Sequence, residues 1–294
     1  MGTGSMREEF RVRKLGFKYH NPAHFYSCQW QWPAWVYIAI RVLISLYTIG
    51  ILIFFFIRNS GYTVMQFLTV WTYILLTLHF FVTALISVLH HFRRTSPIAS
   101  VDNEHKDGSR ENPGFVIEKG QIEIENPQTC TEDRCSSSEK FQNALNDNIT
   151  WYMKLSWLLA DIVQVFSICV TAIYFSAIYP TLNANVSEIE LFVDFNVHAV
   201  NSVLVLIDLL VCARPVRILH FIYPSVYGMV YVTFSVVVFE VSGTVIYNVL
   251  DYTQPVYPVV TVISMALVAI PLLQLAIYGI YRLKDYLFGR IYNC

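Results

Sequence analysis

Apolar residues run along the chain in six long continuous stretches, at approximately 35–57, 64–90, 152–179, 192–212, 223–245 and 256–281. A helix needs roughly 20 predominantly apolar residues to cross about 30 Å of hydrocarbon. All six stretches qualify, and some exceed the minimum and would tilt or protrude. Runs this long exclude a transmembrane β-barrel, whose strands alternate over about ten residues. The pattern predicts an all-α, polytopic membrane protein with six transmembrane helices in a bundle. Its organisation is an N-terminal segment at 1–34, helices one and two within 35–90, a polar loop at 91–151, helices three to six within 152–281, and a tail at 282–294.

Composition supports that pattern. Of 294 residues 55% are hydrophobic and 14% charged, against about 25% charged in soluble domains. A formal net charge of -1 gives no global basic excess, so no nucleic-acid partner is expected. The position of the charges says more. Arg7, Arg11, Arg13, Lys14 and Lys18 precede the first stretch, seven basic residues lie in the 91–151 loop, Arg214 and Arg217 follow the fourth stretch, and Arg282, Lys284 and Arg290 follow the sixth. The intervening loops hold only Arg58. Basic loops stay in the cytoplasm, which places both termini there. The sequon at Asn185 falls on the expected outer side as a candidate glycosylation site, whereas the one at Asn148 falls inside and should stay bare.

Processing and modification signals are few. The first 33 residues lack the apolar core of a cleavable signal peptide. Met6 stands where N-myristoylation requires Ser or Thr. The 91–151 loop is rich in Asp, Glu, Ser, Asn and Pro and poor in aromatics, a disordered composition. Its Cys130 and Cys135 lack a second Cys or His pair at zinc spacing, so two ordinary thiols are the simpler reading and no metal or other cofactor is expected. Cys28, Cys212 and Cys294 lie near the expected inner surface, where palmitoylation is open to them.

Polar groups inside hydrocarbon cost free energy and need a partner or a function. The fourth stretch carries Asp194, His198, Asn201 and Asp208. At 100° per residue all four fall in one stripe about 80° wide, which must face a bundle interior or a wet cavity. The second stretch carries Thr69, Thr72, His79 and Thr83 on one side. Thr69 and His198 both lie roughly 8–9 Å below the outer edge at 1.5 Å per residue, so they can meet, whereas His79 lies deeper. Near the inner side Arg41, Asp161 and Asp208 occupy similar depth, and a buried structural ion pair is the economical reading. Spacing alone favours the structural reading, ordinary hydrogen bonds from Thr69 to its own i−4 carbonyl or a neighbouring helix and from His198 to Asp194 or Asn201.

The run from Val197 to Asp208, followed by Arg214-Pro215-Val216-Arg217 and Tyr223-Pro224-Ser225-Val226-Tyr227-Gly228, resembles the rolling stone family. So does the early Trp32-Pro33-Ala34-Trp35 with Tyr37 and Arg41, and only the acidic loop goes unmatched. The resemblance implies a multi-pass surface protein of the plasma membrane associated with fusion of insect myoblasts. It also implies membrane lipids, and other membrane proteins at fusion sites, as partners. A more distant likeness is to the androgen-induced membrane hydrolases, which have six spans and cleave fatty acid esters of hydroxy fatty acids with an intramembrane Thr and His. Phe67-Leu68-Thr69 is similar to the surroundings of that Thr, and His198-Ala199-Val200-Asn201 to those of the His. In that reading Thr69 is the nucleophile, His198 the general base, and Asp194 or Asn201 the group that orients the imidazole.

Three classes of function follow: a component of cell–cell fusion, a hydrolase of lipid esters, and a transporter using the same polar stripe. The transporter reading lacks a matched pair of Gly- or Pro-broken half-helices, since Pro180 and Pro271 do not correspond. Direct adhesion is weakened by outer loops of only about 6, 12 and 10 residues, too short for a standard interface. The family resemblance ranks the fusion-associated reading first, with the hydrolase as its alternative.

Overall fold

The computed structural model describes residues 9–59, 61–95, 149–181 and 187–292. Most of the 91–151 loop, with Cys130, Cys135 and Asn148, lies outside them, as do Asn185 and Cys294. Among the described residues six helices are long and apolar enough to span a membrane. They are α1 (Ala34–Arg58), α2 (Leu68–Thr95), α3 (Trp151–Ser176), α4 (Glu188–Val211), α5 (Ile222–Ser242) and α6 (Val256–Tyr292). No strand occurs among the described residues beyond an isolated bridge between Cys28 and Cys212.

Helices are what such runs must form, because hydrocarbon offers no hydrogen-bond partner and only intrahelical bonds satisfy the backbone. Their ends follow local chemistry. Pro33 precedes α1, and Ser187 with Glu190 closes a capping box at the start of α4. Gly243 ends α5 in the left-handed region at φ 67°, a conformation that costs glycine little. Several ends differ from the hydropathy boundaries. Tyr62–Gln66 winds as a 3-10 turn, so α2 begins at Leu68, and a second 3-10 turn, Ile218–Phe221, leads into α5. The sixth helix does not give way to a tail at 282. It runs on to Tyr292 because Lys284 is buried, donating to the carbonyls of Leu209 at 2.9 Å and Cys212 at 2.6 Å.

The helix α3 is central and packs on α2, α4, α5 and α6, while α1 packs on α2. Among the described residues three apolar cores result, one built on Tyr73, Phe80, Val163 and Val205, one on Phe166, Leu209, Ile277 and Tyr278, and a smaller one on Phe25, Met153 and Trp157. Large apolar residues such as Leu43, Val226, Val237, Val260 and Leu267 are exposed, whereas Arg41, His79, Asp161, Asp208 and Gln274 are buried. Apolar outside and polar inside is the arrangement of a protein solvated by lipid.

The first and last described segments lie on one face. Gln29 Nε2 donates to Asp285 Oδ1 at 3.3 Å, and Gln29 N donates to Val211 O at 2.8 Å. The connection from Cys212 to Ile218 is entirely buried there, beneath the N-terminal segment. Arg217 donates to the carbonyls of Lys14, Gly16 and Lys18, and Tyr223 donates to that of Leu15 at 2.6 Å. Phe17 closes the plug against Trp157, His220 and Tyr223. Cys212 is buried, with the Tyr37 hydroxyl 3.7 Å from its sulfur, so it is not open to palmitoylation.

Candidate active site

Among the described residues three π turns occur: Tyr174–Ile178 at and just past the end of α3, Asn196–Val200 within α4, and Met265–Ala269 within α6. One extra residue per turn redirects the side chains and frees a carbonyl, and such turns concentrate at functional sites. His198 sits inside the α4 turn. Its freed carbonyl accepts from the Thr171 hydroxyl, which also lies 2.6 Å from Ser202 Oγ and 3.2 Å from Asn201 Oδ1.

The turn aims the imidazole at the start of α2. His198 Nε2 lies 3.3 Å from Thr69 Oγ1, and Nδ1 lies 2.9 Å from the Asp194 backbone carbonyl. A carbonyl only accepts, so in the neutral ring Nδ1 carries the proton and Nε2 is the acceptor facing the Thr69 hydroxyl. Tyr174 stacks on the ring at 4.0 Å and 15°, and its hydroxyl donates to Asp194 Oδ2 at 3.4 Å. Thr69 is the second residue of α2, at the positive end of that helix's dipole. Tyr247 pins this end by accepting from Leu68 N–H at 3.1 Å, and Tyr231 donates to Gln66 O at 2.8 Å.

The orienting groups differ from the sequence expectation. The Asp194 carboxylate is spent on Tyr174, and its main-chain carbonyl holds the imidazole instead. Asn201 does not reach the ring; its amide donates to Val197 O at 2.9 Å and its oxygen accepts from Ser202 N at 2.6 Å. Both are one-stripe neighbours of His198, but position on a helical wheel does not distinguish a side-chain contact from a backbone one. Thr72, one turn beyond Thr69, faces Tyr227 at 3.3 Å and takes no part.

The Thr69–His198 contact lies on a partition between two cavities. An apolar one of about 130 Å³ extends between α2, α3, α5 and α6, past Phe166, Gly228, Met229, Val262 and Ala266. A more polar cleft of about 540 Å³, with Asn59, Asp194 and Asn248 in its wall, lies on the other side. Thr69, Ile173, His198, Tyr247 and Val249 line both. Tyr247 belongs to the connection between α5 and α6, on the face opposite the termini, and burial raises its phenol above the ordinary value. A hydroxyl–imidazole pair placed there can meet an apolar chain from one side and water from the other.

The buried ionic centre also departs from expectation. Asp208 Oδ1 accepts from Arg41, and Oδ2 accepts from Arg214 at 2.6 Å and lies 3.2 Å from His79 Nε2. Tyr37 and Thr83 complete the Arg41 shell at 2.8 and 3.4 Å. Asp161 is not in this set. It lies 2.6 Å from His220 Nδ1, on the side of α3 that faces the buried connection. Arg214 and His220 escape sequence reasoning because the connection looks like a solvated loop. The signal available was its content, since Arg214, Arg217 and His220 alternate with Val216, Ile218 and Leu219. Among the described residues no group of three or more His, Cys, Asp or Glu could hold a metal ion.

The family described as "Protein rolling stone" matches residues 129–294, more than half of the chain and including α3 to α6. The Drosophila melanogaster protein named "Protein rolling stone" is 20% identical over 298 residues, covering 98% of this chain and 93% of its own. No solved structure gives a significant match. The chain is an integral, multi-pass membrane protein, and it belongs to the rolling stone family.

Proposed function

We propose that the chain hydrolyses an acyl ester held in the membrane, with Thr69 as nucleophile and His198 as general base. The observation that carries this reading is the 3.3 Å contact between Thr69 Oγ1 and His198 Nε2 on the wall shared by an apolar and a polar cavity. The acyl chain lies in the apolar cavity and its carbonyl reaches the partition. Thr69 Oγ1 bonds to that carbonyl carbon while its proton passes to His198 Nε2. The carbon–oxygen bond to the alcohol then breaks, and His198 returns the proton to the departing alkoxide. Water entering from the polar cleft gives a proton to the same nitrogen as its oxygen bonds to the acyl carbon, the bond to Thr69 Oγ1 breaks to free the acid, and the imidazole returns the proton to Thr69 Oγ1. Negative charge on the carbonyl oxygen develops beside the positive end of α2, which favours it.

A second reading, supported by the resemblance of the sequence motifs and by the Lys and Arg distribution, is that the chain serves cell–cell fusion at the plasma membrane with its termini in the cytoplasm. The two are compatible if local hydrolysis alters lipid at a fusion site. Their test is one set of variants read twice. Membranes carrying the wild-type chain should release hydroxy fatty acid from an ester of a hydroxy fatty acid, and Thr69→Ala and His198→Ala should not. Unchanged release in both variants excludes the chemistry. A cell-mixing assay on Thr69→Ala then reports whether fusion depends on the hydroxyl.

A further inference from the structure

Where the N-terminal segment crosses the end of α4, Cys28 and Cys212 face each other as an isolated antiparallel bridge. Facing residues in such a pairing are of two kinds, and the hydrogen bonds tell which. Gln29 N–H donates to Val211 O at 2.8 Å, so the bond joins the residues that flank the pair. Cys212 N–H is spent on Asp208 O at 2.9 Å and does not reach Cys28. This is the non-hydrogen-bonded kind, in which the two side chains leave on the same side from Cα atoms about 4.5 Å apart. That separation lies within the range of about 4.4–6.8 Å that a disulfide requires. Both cysteines are free thiols. We propose that Cys28 and Cys212 are a site of reversible oxidation, joined by a disulfide that fastens the N-terminal segment to the connection after α4.

Neighbouring groups hold the two backbones in register. Trp30 Nε1 donates to Leu210 O at 2.9 Å, and the Lys284 ammonium donates to Cys212 O at 2.6 Å. A slip by one residue would turn one thiol to the opposite side, so the pairing is set before any covalent bond forms. The two thiols differ in access. Cys28 is half-buried and lines a cavity of about 160 Å³ together with Ser27, Trp30 and Ala34. Cys212 is buried; its thiol lies 3.8 Å from His24 O and accepts from the Tyr37 hydroxyl at 3.7 Å. An oxidant therefore meets Cys28 first, and Cys212 resolves the product. Burial pushes the Cys28 thiol up, with the main chain at Trp30 and the charges of Arg41 and Lys284 acting in the opposite sense. The resting pair is protonated and its closure is slow, because only the thiolate attacks.

The chemistry balances with an oxidant of the peroxide class. Cys28 Sγ, having shed its proton, bonds to one oxygen of hydrogen peroxide as the oxygen–oxygen bond breaks, and the departing hydroxide takes up that proton as water. Cys28 is now a sulfenic acid. Cys212 Sγ bonds to Cys28 Sγ and displaces hydroxide, which takes the Cys212 proton as a second water. Two thiols are oxidised to one disulfide while one peroxide is reduced to two waters. The Lys and Arg distribution favours the cytoplasm for this face, where a thiol pool reverses such a bond. Once closed, the bond ties the segment that covers Arg217 and Tyr223 to the connection that carries Arg214 to Asp208.

The full chain is reduced, reconstituted in nanodiscs and treated with hydrogen peroxide, then capped with N-ethylmaleimide, digested without reductant and mapped by peptide mass. A peptide pair joining Cys28 to Cys212 should appear and should vanish after dithiothreitol. Closing a loop this long should raise the Tm by roughly 4–16 °C over the reduced protein. Cys28→Ser and Cys212→Ala should each lose both the bond and the rise; Cys28→Ser alters only the half-buried partner, which separates loss of the bond from damage to the interior. Both thiols recovered capped after peroxide, Cys28 joined to a different cysteine or oxidised without a partner, or a bond that leaves the Tm unchanged overturns the proposal.

Discussion

Asp208 is the anion on which the interior at the termini face depends. Its side chain is 1% exposed, and the Arg41 and Arg214 side chains that contact it are each 4% exposed. Asp208→Asn keeps the shape and removes the charge, leaving two buried guanidiniums without a counter-charge. Breaking a buried pair in this way costs about 3–5 kcal/mol, a large part of the roughly 5–15 kcal/mol that holds a domain folded. At about 2–4 °C per kcal/mol for a protein of this size class, the Tm should fall by roughly 6–20 °C. The assay is thermal unfolding of the purified protein in nanodiscs, with wild type, Asp208→Asn, and the triple replacement Asp208→Leu, Arg41→Met, Arg214→Met. The triple replacement should recover most of the loss, because removing every charge also removes the desolvation cost. A Tm for Asp208→Asn within about 2 °C of wild type, or a triple variant no better than the single, would refute the reasoning.

Two further outcomes follow from other parts of the structure. Ala266 lines the apolar cavity, so Ala266→Phe should abolish turnover of long-chain esters while sparing short-chain ones, measured as release across a chain-length series. His24 Nδ1 accepts from the Tyr19 hydroxyl at 2.7 Å, and burial holds its imidazole below the ordinary value, with Asp285 acting in the opposite sense. A depressed histidine contributes stability that is complete above the unfolded value of about 6.5 and is lost as pH falls toward the folded one. The Tm should therefore drop between pH 7.5 and 5.5, and His24→Gln should flatten that part of the profile.

Much of the fold is legible in the sequence because lipid imposes one requirement on every span. A helix such as α1 must supply about 20 apolar residues, and hydropathy finds them regardless of packing. The ends are less legible, since whether Val64 begins a helix or a 3-10 turn is decided by neighbours such as Tyr231, which takes the Gln66 carbonyl. Depth is legible too, because a fixed rise per residue puts Thr69 and His198 at one level, and the structure places them in contact. What the wheel does not convey is which atom of Asp194 faces the ring, since the π turn at Asn196–Val200 alters the local angle. The company of Asp208 and Asp161 is hidden for a different reason. Arg214 and His220 belong to a connection that folds back into the bundle, where Asp208, Asp161, the Lys284 ammonium and the plug around Phe17 hold it.

The hydroxyl of Thr69 is the atom on which the proposed chemistry turns, and its acylation can be observed directly. The purified protein is mixed with an excess of fatty acid ester, quenched in acid within its first turnovers and digested, and the peptide containing Thr69 is weighed. We expect that peptide to gain the mass of the acyl group at Thr69 in wild type and to gain none in His198→Ala. Turnover of the ester with Thr69 unmodified, or undiminished turnover by Thr69→Ala, would contradict the account.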